Sequence, residues 1–195
     1  METLPAFLGA ALAMMATPGP VTLASAAAGA AWPGRATGFV LAMSAGTLTI
    51  ILLVAAGITG LVAAVPGAAP FAAAVGAGYI LYLAWKIATA PPLGSDQGTA
   101  PPSLAGAYAM ALVNPKAWGA FVALFSGFPL LPGDPLAGGA LKAAILCCLP
   151  PVINLTWMIA GSWLASRLRG PMIGRLFNPA MAMVLVTSVA AAFLL

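Results

Sequence analysis

The sequence predicts an all-α polytopic membrane protein, with about six transmembrane helices arranged as two inverted three-helix repeats. Three observations lead there. Of 195 residues, 63% are hydrophobic and 5% charged, which leaves too few polar side chains to cover a globular surface in water. The apolar residues fall into long runs; a hydrocarbon core about 30 Å thick takes roughly 20 residues per helix, so the chain accommodates about six spans with short loops and no soluble domain. Two runs are interrupted by proline at matching places, Thr17-Pro18-Gly19-Pro20 in the first and Asn114-Pro115-Lys116 in the fourth, about half the chain apart.

The first run covers residues 4–31 and closes at Trp32-Pro33-Gly34-Arg35. Its opening stretch, 4–16, has the length of a signal-peptide core but lacks a basic flank, and the apolar run resumes beyond Pro20; the expectation is an uncleaved span. The second run covers 37–65 and ends at Pro66-Gly67. The third, 71–88, carries Tyr79, Tyr82 and Trp85 at helical spacing beside Lys86, where aromatic and basic side chains anchor a helix at the headgroups. Residues 90–103, with four prolines, two glycines, Asp96 and Gln97, read as a polar linker. It divides a single membrane domain, 1–195, into repeats at 1–89 and 104–195. The fourth run is 104–128, the fifth 137–165 with a kink expected at Pro150-Pro151, and the sixth 173–195.

Three spans per half is an odd number, so equivalent helices cross in opposite directions. Pro33-Gly34 and Pro132-Gly133, each following a broken helix, repeat the correspondence. With six spans, Arg35, Lys86, Arg167, Arg169 and Arg175 fall on one side; Glu2, Asp134 and Lys142, at a helix start, fall on the other. The excess of Lys and Arg on cytoplasmic loops then places both termini outside the cytoplasm. Gly29, Gly34, Gly38, Gly46, Gly76, Gly78, Gly106 and Gly161 are expected to let helices approach closely.

Several function classes are excluded. The net charge of +4 is spread singly between apolar runs, not clustered with aromatics, so no nucleic-acid partner is expected. Adjacent Cys147 and Cys148 fit neither a redox pair nor a zinc site. There is no histidine, and the three acids Glu2, Asp96 and Asp134 lie at the terminus or in loops. A carboxylate proton relay, a histidine-based triad, a metal cluster and a phosphate loop are all missing, so no enzyme activity, cofactor or metal is expected.

The breaks carry the chemistry. Pro18 and Pro20 have no amide hydrogen and disfavour helical geometry before them, which strips donors from carbonyls one turn upstream. Such groups need another partner in a bilayer: a cation, a water or a ligand ammonium. Where the helix restarts after Pro20, its first amides and dipole favour an anion. Thr17, Thr22 and Ser25 add hydroxyls. Lys116 stands well inside its run; a lysine there faces a water-filled cavity or a partner unless it snorkels to the interface. It is the charge expected within the membrane, and Asn114 beside it can donate and accept. Asn154 and Asn178-Pro179 are further candidates, against a plain role in joining helices. The expected substrate-binding set is Thr17, Pro18, Gly19, Pro20, Asn114, Pro115, Lys116 and Asn154.

These residues together resemble the LysE/RhtB family of bacterial amino-acid exporters. The resemblance covers essentially the whole chain: Thr17-Pro18-Gly19-Pro20, then Gly34, Gly38 and Ala42, the stretch from Gly76 through Tyr79, Tyr82 and Trp85 to Lys86, then Asn114-Pro115-Lys116-Ala117 and Arg175-Leu176-Phe177-Asn178. It implies a multi-pass inner-membrane secondary transporter that exports amino acids or similar small metabolites from the cytoplasm, driven by an ion gradient. The family often has glycine where Ser44, Leu48 and Ala84 stand and an acid close to Thr49. Without that acid a cationic substrate would meet no counter-charge, and Lys116 would instead hold a carboxylate. The expected partners are a small-molecule amino acid and the lipid bilayer, with a homo-oligomer left open. The alternatives are an inorganic-cation exporter on the same scaffold and a non-transporting membrane subunit.

Overall fold

Proline, glycine and asparagine punctuate the chain into helices whose ends meet inside the molecule. The computed structural model describes residues 3–57 and 103–167, with the isolated helical positions 78, 81, 82, 85, 179, 180, 183, 186 and 187. Most of the third and sixth runs, Tyr79, Lys86, Arg169, Arg175 and Asn178 lie outside the described residues. The elements are α1 (Thr3–Ala16), α2 (Pro20–Ala31), α3 (Thr37–Ala55), α4 (Leu104–Leu112), α5 (Pro115–Gly127) and α6 (Pro135–Arg167). No strand occurs among the described residues.

The helix α1 stops where Pro18 can no longer donate, and the Thr17 amide and hydroxyl both turn back onto the Ala13 carbonyl. Gly19, extended at φ −163°, precedes Pro20, which opens α2 at the position where a missing amide hydrogen costs nothing. The Thr22 hydroxyl accepts from the Gly19 amide at 2.8 Å and donates to the Gly19 carbonyl at 3.0 Å, fixing the restart. The two helices are bent by 54°. Residues 20–30 of α2 are all buried, an unusual state that its small side chains permit.

The principal partner of α2 is α6. At their crossing, Gly29 faces the Met158 carbonyl and Gly161 faces the Ala26 carbonyl, so closely that a Cβ on either glycine would fall on the opposing backbone. Gly46 of α3 lies likewise against the Tyr108 carbonyl of α4, where the Thr49 and Tyr108 hydroxyls are 2.9 Å apart. The close-approach expectation therefore holds at Gly29, Gly46 and Gly161. It fails at Gly34, which has open space around it and instead supplies the left-handed turn (φ 75°) between α2 and α3.

The helix α3 ends at Ala55, short of the expected residue 65. Gly57 adopts φ 75° and donates to the Val54 carbonyl at 3.0 Å, a left-handed helix stop that an apolar run conceals. The helix α6, capped by Asp134 accepting from the Ala137 amide at 3.0 Å, runs through Pro150 and Pro151 without interruption. The helix continues through the expected kink site, its flanking turns holding despite two missing donors.

Both α3 and α6 are long and apolar enough to cross a membrane, and α1 with α2 make a third span if the bent pair is counted as one. Large apolar side chains such as Leu52, Val152, Ile159 and Trp163 point outward, as a lipid-facing surface requires. The described residues are thus all-helical, with the long apolar helices and outward apolar surface of a membrane protein. One buried cluster joins α2, α3 and α4 around Phe39, Met43 and Met110; a second joins α1, α3, α5 and α6 around Phe7, Ile50, Leu124 and Leu146.

Lys142, expected at a helix start, stands two turns into α6 and is buried. It is only 7% exposed, and its ammonium donates to the Phe125 and Phe128 carbonyls at 2.5 and 3.2 Å, with the Phe125 ring centroid 5.4 Å away. It closes the C-terminal end of α5. Lys116 is therefore not the single cation within the helical body.

Candidate functional site

Four helix ends create the site. The C-terminal ends of α1 and α4 present carbonyls; the N-terminal ends of α2 and α5 present amides, with the dipoles adding to each tendency. At the second break, Val113 and Asn114 leave helical geometry, and the Asn114 side chain caps α5 by accepting from the Lys116 amide at 3.2 Å. Pro115 takes the first helical position, as Pro20 does in α2. That places Lys116 in the first turn, where side chains lean back toward the helix N-terminus.

From there Lys116 reaches the other break. Its Nζ donates to the Thr17 carbonyl at 2.7 Å and the Pro18 carbonyl at 3.2 Å, across 99 and 98 residues of sequence. These are charge-assisted bonds. The acceptors are the carbonyls of the break itself, not those one turn upstream as the sequence argument had them. The lysine stem passes over Gly19, where a Cβ would meet Lys116 Cδ and Nζ at 2.9 Å. A side chain at this position would push the end of Lys116 aside, while the extended backbone itself is open to any residue.

A cavity of about 60 Å³ adjoins the lysine, lined on its polar side by Thr17, Gly19, Thr22, Thr47, Asn114, Lys116 and Asn154. Apolar walls come from Met14, Val21 and Phe121, drawn from both buried clusters. Five of the expected residues thus line one cavity: Thr17, Gly19, Asn114, Lys116 and Asn154. Pro18 contributes its carbonyl to Lys116, while Pro20 and Pro115 set the helix starts and do not form the wall. Among the described residues, no three His, Cys, Asp or Glu side chains group as metal ligands.

Asn154, 3% exposed, donates from Nδ2 to the Ser44 hydroxyl at 3.1 Å, and Ser44 donates to the Val40 carbonyl at 2.9 Å. It both joins α6 to α3 and borders the cavity. A Ser44→Ala, Asn154→Ala double-mutant cycle read by thermal unfolding in detergent is expected to give a coupling of about 0.6–1.7 kcal/mol, the range of interhelical hydrogen bonds in membranes. Thr47, Ser44 and Pro150 were not in the expected site. A hydroxyl pair three residues apart inside an apolar helix, Ser44 and Thr47, is the signal that could have found the α3 wall.

Comparison with known proteins gives the family. No family profile matches the chain, and no solved structure matches it. The chain is 33% identical over 172 residues to a cysteine/O-acetylserine efflux protein of Escherichia coli, an alignment that covers 87% of each protein. The proteins of the same name from Shigella flexneri and Shigella sonnei are 32% identical over the same length and coverage. Similarity of that extent places this chain in the LysE/RhtB family of exporters.

Proposed function

We propose that this chain is a secondary transporter of the inner membrane that exports small zwitterionic amino acids from the cytoplasm, driven by an ion gradient. The observation that carries the reading is the meeting of the two breaks, with the Lys116 ammonium 2.7 Å from the Thr17 carbonyl. One compartment then offers a cation and helix N-termini to a carboxylate, and backbone carbonyls to an ammonium. Asn114, Asn154, Thr22 and Thr47 supply orienting hydrogen bonds, and Gly19 supplies clearance. The relatives' names give cysteine and O-acetylserine as their cargo; both are neutral zwitterions, which suits a cavity whose described lining includes no acid.

Alternating access of two inverted three-helix repeats is the mechanism this reading entails, with both termini outside the cytoplasm. Support comes from the packing pattern. The helix α3 packs on α4 and α5, α6 packs on α1 and α2, and α3 and α6 pack on each other, so these pairings, of unequal extent, recur when the halves are exchanged.

An efflux screen tests the function. Cells producing the chain should release cysteine, O-acetylserine or another small neutral amino acid severalfold faster than cells without it, with lysine and arginine unchanged, and collapsing the proton gradient should stop release. Unchanged release of every amino acid would remove the proposal.

A further inference from the structure

We propose that Lys116 is a tethered occupant of the subsite for the substrate's ammonium group, which a zwitterion displaces in order to load. This rests on reading the cavity as an amino-acid site. Lys116 Nζ makes with the Thr17 and Pro18 carbonyls, at 2.7 and 3.2 Å, the contacts that a ligand's primary ammonium would make there.

The space beside the lysine is small. The cavity of about 60 Å³ holds on the order of four waters, whereas small-molecule sites run to roughly 300–1,000 Å³. The end of the lysine is the movable cation on the described lining, and with glycine beneath it no side chain at position 19 bars its withdrawal.

Lys142 provides the contrast within the same molecule. It too gives its ammonium to two carbonyls, but it is also covered by the Phe125 ring and does not border the cavity. Lys142, buried, closes a helix end; Lys116, half-buried, stands at the edge of a cavity.

Loading is then an exchange of partners. The substrate carboxylate takes Lys116, the substrate ammonium takes the Thr17 and Pro18 carbonyls, and no charge is left unpaired. An amine without a carboxylate would displace Lys116 into a low-dielectric site with nothing to receive it, at a large cost. The lysine thereby makes the site demand both charges.

The test uses ethylammonium chloride with the full chain purified in detergent, read by the shift in thermal unfolding across a concentration series. Wild type should show no shift beyond that given by tetramethylammonium, which has no N–H to donate. Lys116→Ala, with its carbonyls vacated, should bind ethylammonium about tenfold tighter or better than wild type, as one charge-assisted hydrogen bond implies. Lys116→Met, which keeps the stem and lacks the donors, should show the same order and serves if the alanine variant fails to fold. Equal responses of wild type and variants to ethylammonium, or, in the variants, equal shifts with ethylammonium and tetramethylammonium, would overturn the proposal. Because this assay reads the subsite without transport, a gain of ethylammonium binding in chains that export nothing would condemn only the export reading.

Discussion

Lys116→Ala is expected to abolish amino-acid efflux while leaving membrane insertion intact. The substitution removes the cation assigned to the substrate carboxylate and leaves the Thr17 and Pro18 carbonyls without their donor. Truncating one member of a desolvated charge pair costs about 2–5 kcal/mol, which at the lower end already lowers affinity roughly thirtyfold. Lys116→Arg should not restore transport fully, because the planar guanidinium is larger and passes a backbone on which even a Cβ at Gly19 would crowd the stem at 2.9 Å. Efflux per inserted molecule, with membrane content measured by immunoblot, separates lost function from lost protein. Normal efflux from the alanine variant would sink the assignment of the site.

Gly161→Val is expected to have the largest effect on stability. At Gly161 the atoms in the way belong to the Ala26 backbone, so no side chain can swing aside. The α2–α6 interface must open, and with it the packing of a helix whose residues 20–30 are wholly buried. Overpacking of a core costs about 1–3 kcal/mol where side chains can adjust, and this contact offers no such adjustment; the effect should reach or exceed ~3 kcal/mol. Gly9→Ala provides the control, because nothing lies within 4 Å of a Cβ there and alanine is favoured over glycine in a helix by about 1 kcal/mol. Thermal unfolding in detergent should show a marked fall for the valine variant and none for the control. An unchanged midpoint for Gly161→Val would contradict the backbone contact.

What could be read in advance was local. Pro18, Pro20 and Pro115 lack amide hydrogens wherever they stand, and Asn114 is a natural cap, so both breaks and the starts of α2 and α5 follow from a few neighbouring residues. The rest depends on partners distant in the chain. Lys116 was chosen for its place inside an apolar run, but nothing nearby identifies acceptors 98 and 99 residues away. Lys142 resembled an interfacial charge because the Phe125 and Phe128 carbonyls that bury it belong to another helix. The end of α3 turned on one glycine, Gly57, within a run that remained apolar beyond it. Pro150 and Pro151, read as a kink site, lie inside a continuous helix.

Gly29 and Gly161 give the α2–α6 seam a character that suits the proposed transport. Small residues let α2 and α6 meet backbone to backbone, giving van der Waals contact without interlocked side chains. The cavity lies along α2 from this seam, at the end where the helix begins.

The central claim is that the two breaks form one binding site for a zwitterion in an exporter. Flux from liposomes holding the purified chain, loaded with labelled cysteine, ethylammonium or propionate and placed under an imposed proton gradient, tests it most directly. The account predicts that cysteine leaves faster than from protein-free vesicles, and that the two compounds carrying a single charge do not. Release of all three at the protein-free rate, or of ethylammonium as readily as cysteine, would contradict it.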